Sequence, residues 1–327
     1  MILPPAGLGD LIMAAPAIRA VRNRFPDAYI AVLAHYSRGA KEIGDCMSYL
    51  DEVIDFPLER YLWTSVLRFF ASLYWPMFWN LKRRRFDTII NLAQNPIRTI
   101  LIKMLNPPMP LEVEGKGHPT QRGFNLSAKL GCSTEPLDFG FQVPLIDIEK
   151  ILPATLPRPW IGVHPFSAIR WRNWSNYADF LENLPKSATV IILGKDPSHK
   201  KKIHENTVVD LVNVLSIKEL VAVIAKLDML ISIDSGPMHI GFAAGTPTLG
   251  IFNIVEPQDR MPLAGTISHQ SVFFPHTHKN NDRVLERDAC LGETVLDNDV
   301  IYSKMIELCR LNKVCIPNIG SCGKGAD

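Results

Sequence analysis

The feature that most constrains this chain is an alternation of short apolar runs with helical stretches. Apolar runs at 160–164, 188–193, 228–233 and 248–252 are separated by helix-like segments at 175–184, 216–226 and 237–245. Strands divided in this way by helices pair in parallel, because each crossover helix returns the chain to the same edge of the sheet. The amino-terminal half follows the same scheme. Apolar residues at 11, 14, 15, 18, 21 and 25 recur at helical spacing, and Phe25-Pro26-Asp27 ends that helix before a strand-like run at 29–34. Runs at 53–54 and 88–92 then alternate with helical stretches at 58–82, 96–105 and 120–131. The pattern predicts an α/β chain with two doubly wound, Rossmann-like domains in series.

At 327 residues the chain exceeds one comfortable core. The Pro-rich segment from Pro144 through "ILPATLPRP" at 151–159 reads as the linker. The expected domains are 1–150 and 151–312, followed by a small, polar, frayed tail at 313–327. Ligands of such sheets belong beyond the carboxyl ends of the strands, and the expected site is a crevice where the two domains face each other.

Charge and cysteine usage narrow the partners. A net charge of +2 argues against nucleic acid. Six cysteines without a Cys-x-x-Cys pair, and no signal-like leader, predict free thiols and a cytoplasmic protein. No stretch reaches the roughly 20 apolar residues of a spanning helix. The segment "RYLWTSVLRFFASLYWPMFWNLKRRRF", residues 60–86, has two readings: a peripheral contact with an anionic membrane, or a core helix with a solvated basic end interrupted at Pro76.

The loop at 4–10, "PPAGLGD", opens the first helix and also allows several readings. A dinucleotide fingerprint lacks its third glycine, since Ile12 stands there, and the second strand ends "AHY" without an acid. Asp10 suits a helix N-cap that accepts a backbone N–H from Ile12 or Met13. It also suits a catalytic base, because Gly7 and Gly9 flanking Leu8 let backbone approach a bound molecule.

In "ISIDSGPMHIGFAAGTPTLGIF", residues 231–252, a buried strand delivers Asp234-Ser235-Gly236 to a helix whose first turn carries Pro237, Met238 and His239. Free amides and the helix dipole there suit a diphosphate. The plainer alternative makes Ser235 a cap and His239 a core residue. Upstream, "GVHPFSAIRWRNWS", residues 162–175, places Ser167, Arg170 and Arg172 after the domain's first strand, where a hydroxyl and guanidinium groups suit phosphate oxygens. The competing reading is a solvated basic loop over packed tryptophans.

These blocks resemble glycosyltransferase family 9, which includes the ADP-heptose:lipopolysaccharide heptosyltransferases. The resemblance runs from "GLGDLIMAAPAIRAVRNRFP" through "VHPFSAIRWRNWS", "VIILG" and the 231–252 block to "DRMPLAG". It implies a GT-B fold and inverting, metal-independent transfer of a heptose or related sugar from an ADP-activated donor. The implied acceptor is a hydroxyl of a glycan or glycolipid such as the lipopolysaccharide inner core. By position, Asp10 matches the family's general base, Arg172 a phosphate-binding residue and Asp234 the acid that holds donor hydroxyls. Ser235 to His239 match the diphosphate-binding helix start. The resemblance implies no cofactor beyond the nucleotide sugar. After "VIILG" this chain has Lys195-Asp196-Pro197-Ser198-His199, where the family usually carries a Glu for the ribose, and its first strand is nearly absent before Pro4. A sugar-nucleotide epimerase or hydrolase, or a non-catalytic nucleotide-sugar binding protein, would share the architecture. The Asp-x-Asp at 297–299 reads as a helix cap, and His276, His278 and Cys290 fit no strong metal spacing.

Overall fold

The computed structural model describes residues 1–5, 7–34, 39–56, 74–115, 117–135, 138–167, 172–199, 207–263, 267–274 and 295–317. Its contacts divide the chain into two units, Met1–Gln142 and Val143–Asp327.

The first unit runs β1 (Ile2–Leu3), α1 (Leu8–Arg24), β2 (Ala31–Ala34), α2 (Ala40–Gly44), β3 (Glu52–Asp55), α3 (Tyr74–Arg83), β4 (Thr88–Asn91), α4 (Pro96–Leu105), β5 (Met109–Glu112) and α5 (Pro119–Ala128). Every strand pairing is parallel, in the order β3-β2-β1-β4-β5. The two-residue β1 lies in the middle, with Ile2 opposite both Val32 and Ile90. Its position puts the Gly-rich turn at the sheet's centre. The α1 helix is buried over much more than one stripe, from Leu11 through Ile18, and it packs against α5 and α2.

The second unit runs β6 (Trp160–His164), α6 (Tyr177–Glu182), β7 (Thr189–Ile192), β8 (Val208–Asp210), α7 (Ile217–Ile224), β9 (Met229–Ile233), α8 (Gly236–Ala244), β10 (Thr248–Phe252), β11 (Gln270–Phe273) and α9 (Asn298–Asn312). The parallel order is β11-β10-β9-β6-β7-β8. The chain direction across the sheet reverses between β6 and β9, the switch point of a doubly wound fold, and there His164 lies opposite Ser232. The core beneath comprises Ile161, Val163, Met229, Ile231, Leu249 and Ile251, with the Trp174 and Phe180 rings tilted against each other at a centroid distance of 5.0 Å. One of the two tryptophans expected to pack beneath the basic loop is therefore in place.

Among the described residues the strand and helix expectations hold for the apolar runs, and α2, β5, β8 and β11 come in addition, with two 3₁₀ turns. The Asp297 carboxylate caps α9 by accepting from the Asp299 and Val300 amides at 3.0 and 3.2 Å. Cys46, Cys132 and Cys309 are free thiols, but Cys315 is disulfide-bonded, which corrects the expectation that every thiol is free. Of the aromatic stretch at 60–86, residues 60–73 lie outside the described residues, as do residues 318–327 of the expected tail. No described helix is long and apolar enough to cross a membrane.

Candidate active site

In the second unit, Asp234 follows the end of β9, and its amide donates to Ile251 O at 2.9 Å and so fixes the turn to the neighbouring strand. The Asp234 carboxylate lies between Arg172 and His239. Its Oδ2 is 3.8 Å from Arg172 Nη1 and its Oδ1 is 3.7 Å from His239 Nε2, contacts of charge rather than hydrogen-bond length. Burial pushes the Asp234 carboxyl pKa up, but His239, Arg260 and Arg172 outweigh it and hold the group below the ordinary carboxylate range. The acid is an anion at neutral pH.

The adjoining helix start has no side-chain cap. Ser235 occupies the N-cap position of α8 in an extended conformation, yet its hydroxyl makes no cap bond. It lies 3.1 Å from His164 Nδ1 and donates to Ile233 O at 3.2 Å. The expected alternative of Ser235 as a cap is therefore corrected: a histidine from β6 and a backbone carbonyl take the hydroxyl instead. Gly236 is the first helical residue and Pro237 the second, where the N–H that proline lacks would have no helical partner. Among the described residues no acceptor meets the Gly236 amide. Met238 is buried, and His239, 4% exposed, packs edge-on against Phe242 with ring centroids 5.8 Å apart. His239 is thus the core residue that the plainer of its two readings expected.

The loop after β6 is held by its own side chains. Asn173 Oδ1 accepts the Ser167 amide at 2.7 Å, and Trp174 N donates to Pro165 O at 3.0 Å. This clamp fixes the backbone that carries Arg172 towards Asp234. Arg170 lies outside the described residues. Reasoning from the sequence missed Arg260, just beyond the 3₁₀ turn Pro257–Asp259 that follows β10. Its signal was an arginine beyond the carboxyl end of a central strand, within the "DRMPLAG" block.

Beyond β7, Gly194 adopts φ +130°, and a Cβ there would lie 2.9 Å from His164 Cδ2, so backbone conformation and ring proximity both call for glycine. In the following loop Asp196 Oδ1 accepts from the Ser198 amide and hydroxyl at 2.9 and 2.7 Å. His199 Nε2 lies 2.7 Å from Asp210 Oδ2.

In the first unit, α1 begins at Leu8 with Gly7 as its N-cap. Asp10 is the third helical residue, and its Oδ2 accepts the Gly7 amide at 3.0 Å. This corrects the expected cap geometry, in which Asp10 precedes the helix and takes a bond from Ile12 or Met13. The carboxylate reaches backwards, as the acid of a capping box does. A Cβ on Gly7 would lie 2.7 Å from that oxygen, so the glycine is needed for the close approach. Asp10 and Leu8 are half-buried and Gly9 is buried. The result is a fixed, water-accessible carboxylate at the positive end of a helix.

Among the described residues no group of three His, Cys, Asp or Glu is placed to hold a metal ion. His276, His278 and Cys290 lie outside them.

Comparison with known proteins adds three findings. The family model described as glycosyltransferase family 9 (heptosyltransferase) matches residues 102–287, more than half of the chain but short of the Asp10 loop. The lipopolysaccharide core heptosyltransferase OpsX of Haemophilus influenzae is 34% identical over 64 residues, which cover 20% of this chain and only 18% of that protein. Two solved Escherichia coli structures match nearly end to end at 15% identity. ADP-heptose lipopolysaccharide heptosyltransferase II has a TM-score of 0.68 over 96% of this chain and 99% of its own. Heptosyltransferase WaaC with ADP has a TM-score of 0.69 over 94% and 98%. At that identity the likeness establishes the fold, GT-B, with two Rossmann-like units in one chain.

Proposed function

The chain belongs to glycosyltransferase family 9, the heptosyltransferase family, and from that premise we propose that it transfers a heptose or related sugar from an ADP-activated donor to a hydroxyl of a glycan or glycolipid, such as the lipopolysaccharide inner core. Asp10 takes the proton of the acceptor hydroxyl as that oxygen attacks the anomeric carbon. The bond to the diphosphate breaks on the opposite face, so the configuration inverts, and ADP leaves with its negative charge. Arg172 and the start of α8, where the Gly236 amide meets no acceptor among the described residues, stabilise that charge. Arg260 adds to the same positive field. Asp234 accepts hydrogen bonds from donor hydroxyls while balancing the cations. Ser167 and Arg170 complete the phosphate contacts, and no metal enters the scheme.

The observation that carries this reading is the Asp234 cluster. A carboxylate held as an anion by Arg172, His239 and Arg260 stands beside a helix start without a side-chain cap. That combination suits a ligand bearing both hydroxyls and a diphosphate. The experiment is a thermal-shift panel of nucleotide sugars, followed by NMR of the product's anomeric centre. ADP-heptose should give the largest rise in Tm, and the new linkage should be inverted. Stronger stabilisation by a non-adenine nucleotide sugar, or a retained configuration, contradicts the assignment.

A lipid-linked acceptor fits the described part of the basic stretch. Phe78 and Leu81 of α3 are buried in the core, while Trp79 is 41% exposed and Lys82 Nζ lies 5.7 Å from its ring. Lys82, Arg83 and Arg85 are exposed beside it. Both readings of this segment have support, a core face and a basic, aromatic outer face. The outer face supports peripheral contact with the anionic inner leaflet of the cytoplasmic membrane.

A further inference from the structure

Arg98 is a buried cation that the scheme above does not use. It is 7% exposed and is the third residue of α4, where the helix dipole also disfavours positive charge. Both effects call for a partner. The Arg98 guanidinium donates through Nη1 to Pro4 O, 94 residues away, in a buried bond just past the carboxyl end of β1. That carbonyl opens the loop leading to Asp10. Pro4 is buried, and neither Pro4 nor Pro5 has an N–H to give to a neighbouring strand, so the ladder cannot hold the loop through donors there. Pairing of β1 with β4 reaches Leu3, whose carbonyl accepts the Leu92 amide at 2.9 Å. A side chain takes the next carbonyl. The helix that carries it is itself fixed: Asn95 caps α4 by accepting the Ile97 amide at 2.9 Å, and Thr99 Oγ1 donates to Glu112 Oε2 at 2.5 Å. Asn91 Nδ2 donates to the same oxygen at 3.2 Å. The first turn of α4 is thereby tied to the ends of β4 and β5.

We infer that Arg98 is a positioning residue: by holding Pro4 O it fixes the loop whose Gly7 amide in turn holds the Asp10 carboxylate at 3.0 Å. The inference rests on the reading of Asp10 as the base. That base is aimed from α4, the crossover between β4 and β5, as well as from its own helix.

The test measures hydrogen exchange of the Gly7 amide by NMR, together with turnover of ADP-heptose and inner-core lipopolysaccharide. In Arg98→Met, Gly7 should exchange about tenfold faster or more while amides in the middle of α1 keep the parent's protection, because only the loop's anchor is lost. A merely structural role would loosen both. In the same variant kcat should fall about tenfold or more, with the KM for ADP-heptose within about twofold of the parent. Arg98→Lys keeps a cationic donor and should recover most of the rate. The decisive comparison repeats Arg98→Met in the Asp10→Asn background, where an anchor acting through Asp10 has nothing left to position and the rate should fall no further. A second loss of about tenfold there overturns the inference. So does a Gly7 amide in folded Arg98→Met that exchanges as in the parent, or no faster than the rest of α1. Should Arg98→Met not fold, Arg98→Gln, whose side chain lacks the reach of Nη1, is compared in the same way. Normal turnover in Asp10→Asn would instead overturn the base reading itself.

Discussion

An aspartate stands at a strand-to-helix turn in each unit, and the two turns treat the carboxylate in opposite ways. Asp10 lies inside the first turn of α1, half-buried, tied to the backbone by the Gly7 amide. Asp234 lies two residues before α8, its side chain 11% exposed, with His239, Arg260 and Arg172 as its electrostatic partners. The first arrangement fixes a carboxylate while leaving it accessible to solvent and to an incoming hydroxyl. The second balances an acid with cations so that the whole cluster suits a polyanion. In the proposed function, similar local topology serves as a base in one unit and as a binding site in the other, and the neighbours decide which.

The sharpest way to break this comparison is to neutralise each acid. Asp10→Asn should lower turnover at least about a hundredfold with ADP affinity nearly unchanged, since positioned general-base catalysis is typically worth 10²- to 10⁴-fold. A near-normal rate would return Asp10 to a purely capping role. Gly7→Ala tests the same carboxylate by geometry alone. The added Cβ meets only the end of the Asp10 side chain, so Tm should scarcely change, whereas a displaced base should reduce kcat by roughly ten- to a hundredfold. Equal loss of stability and rate would place the glycine's role in folding.

Asp234→Asn should behave differently, weakening the nucleotide sugar about tenfold or more through lost charged hydrogen bonds, while ADP alone binds as well or better. Parallel losses for both ligands would deny Asp234 its contact with the sugar.

The units should also differ in acid. Burial holds His164 and His269, both in the second unit, neutral in the fold, with pKa values of about 3 and about 4 against an ordinary 6.5. Below pH 6.5 the unfolded chain binds these protons and the folded chain does not. Stability is therefore full above pH 6.5 and falls as the pH drops towards 4 and then 3, by up to about 1.4 kcal/mol per pH unit for each histidine. The lowered Asp234 pKa acts in the same direction, its contribution being lost as the pH falls through the folded value. Urea unfolding from pH 7.5 to 5 should show the decline, and a flat profile contradicts it. The smallest effect is expected at the surface: Lys82→Ala should weaken flotation with anionic vesicles about fivefold and leave neutral vesicles unaffected.

What the sequence disclosed follows the range of each interaction. Apolar runs such as Met229–Ile233 and Thr248–Phe252 are buried on both faces, so their burial is visible in the residues themselves. Met109–Glu112, Val208–Asp210 and Gln270–Phe273 are edge or near-edge strands with partly exposed residues, and nothing in their local pattern distinguishes them from loops. The DSGPMH block was legible as a helix start because Pro and Gly announce one. Ser235 stands at the N-cap position as one reading expected, but that its hydroxyl makes no cap bond was not legible, because the neighbouring His164 is remote in sequence. Asp10 was placed before the helix because an acid at the third helical position, reaching back to a glycine, leaves the same residue pattern as a capping acid. Arg260 escaped notice because its electrostatic link to Asp234 spans two strand ends, β9 and β10.

The most direct test is a crystal structure with ADP and an unreactive acceptor analogue. The account predicts diphosphate oxygens within hydrogen-bond distance of the Gly236 amide and the Arg172 guanidinium, and an acceptor hydroxyl against the Asp10 carboxylate. A diphosphate bound away from the start of α8, or an acceptor hydroxyl deprotonated by another group, would contradict it.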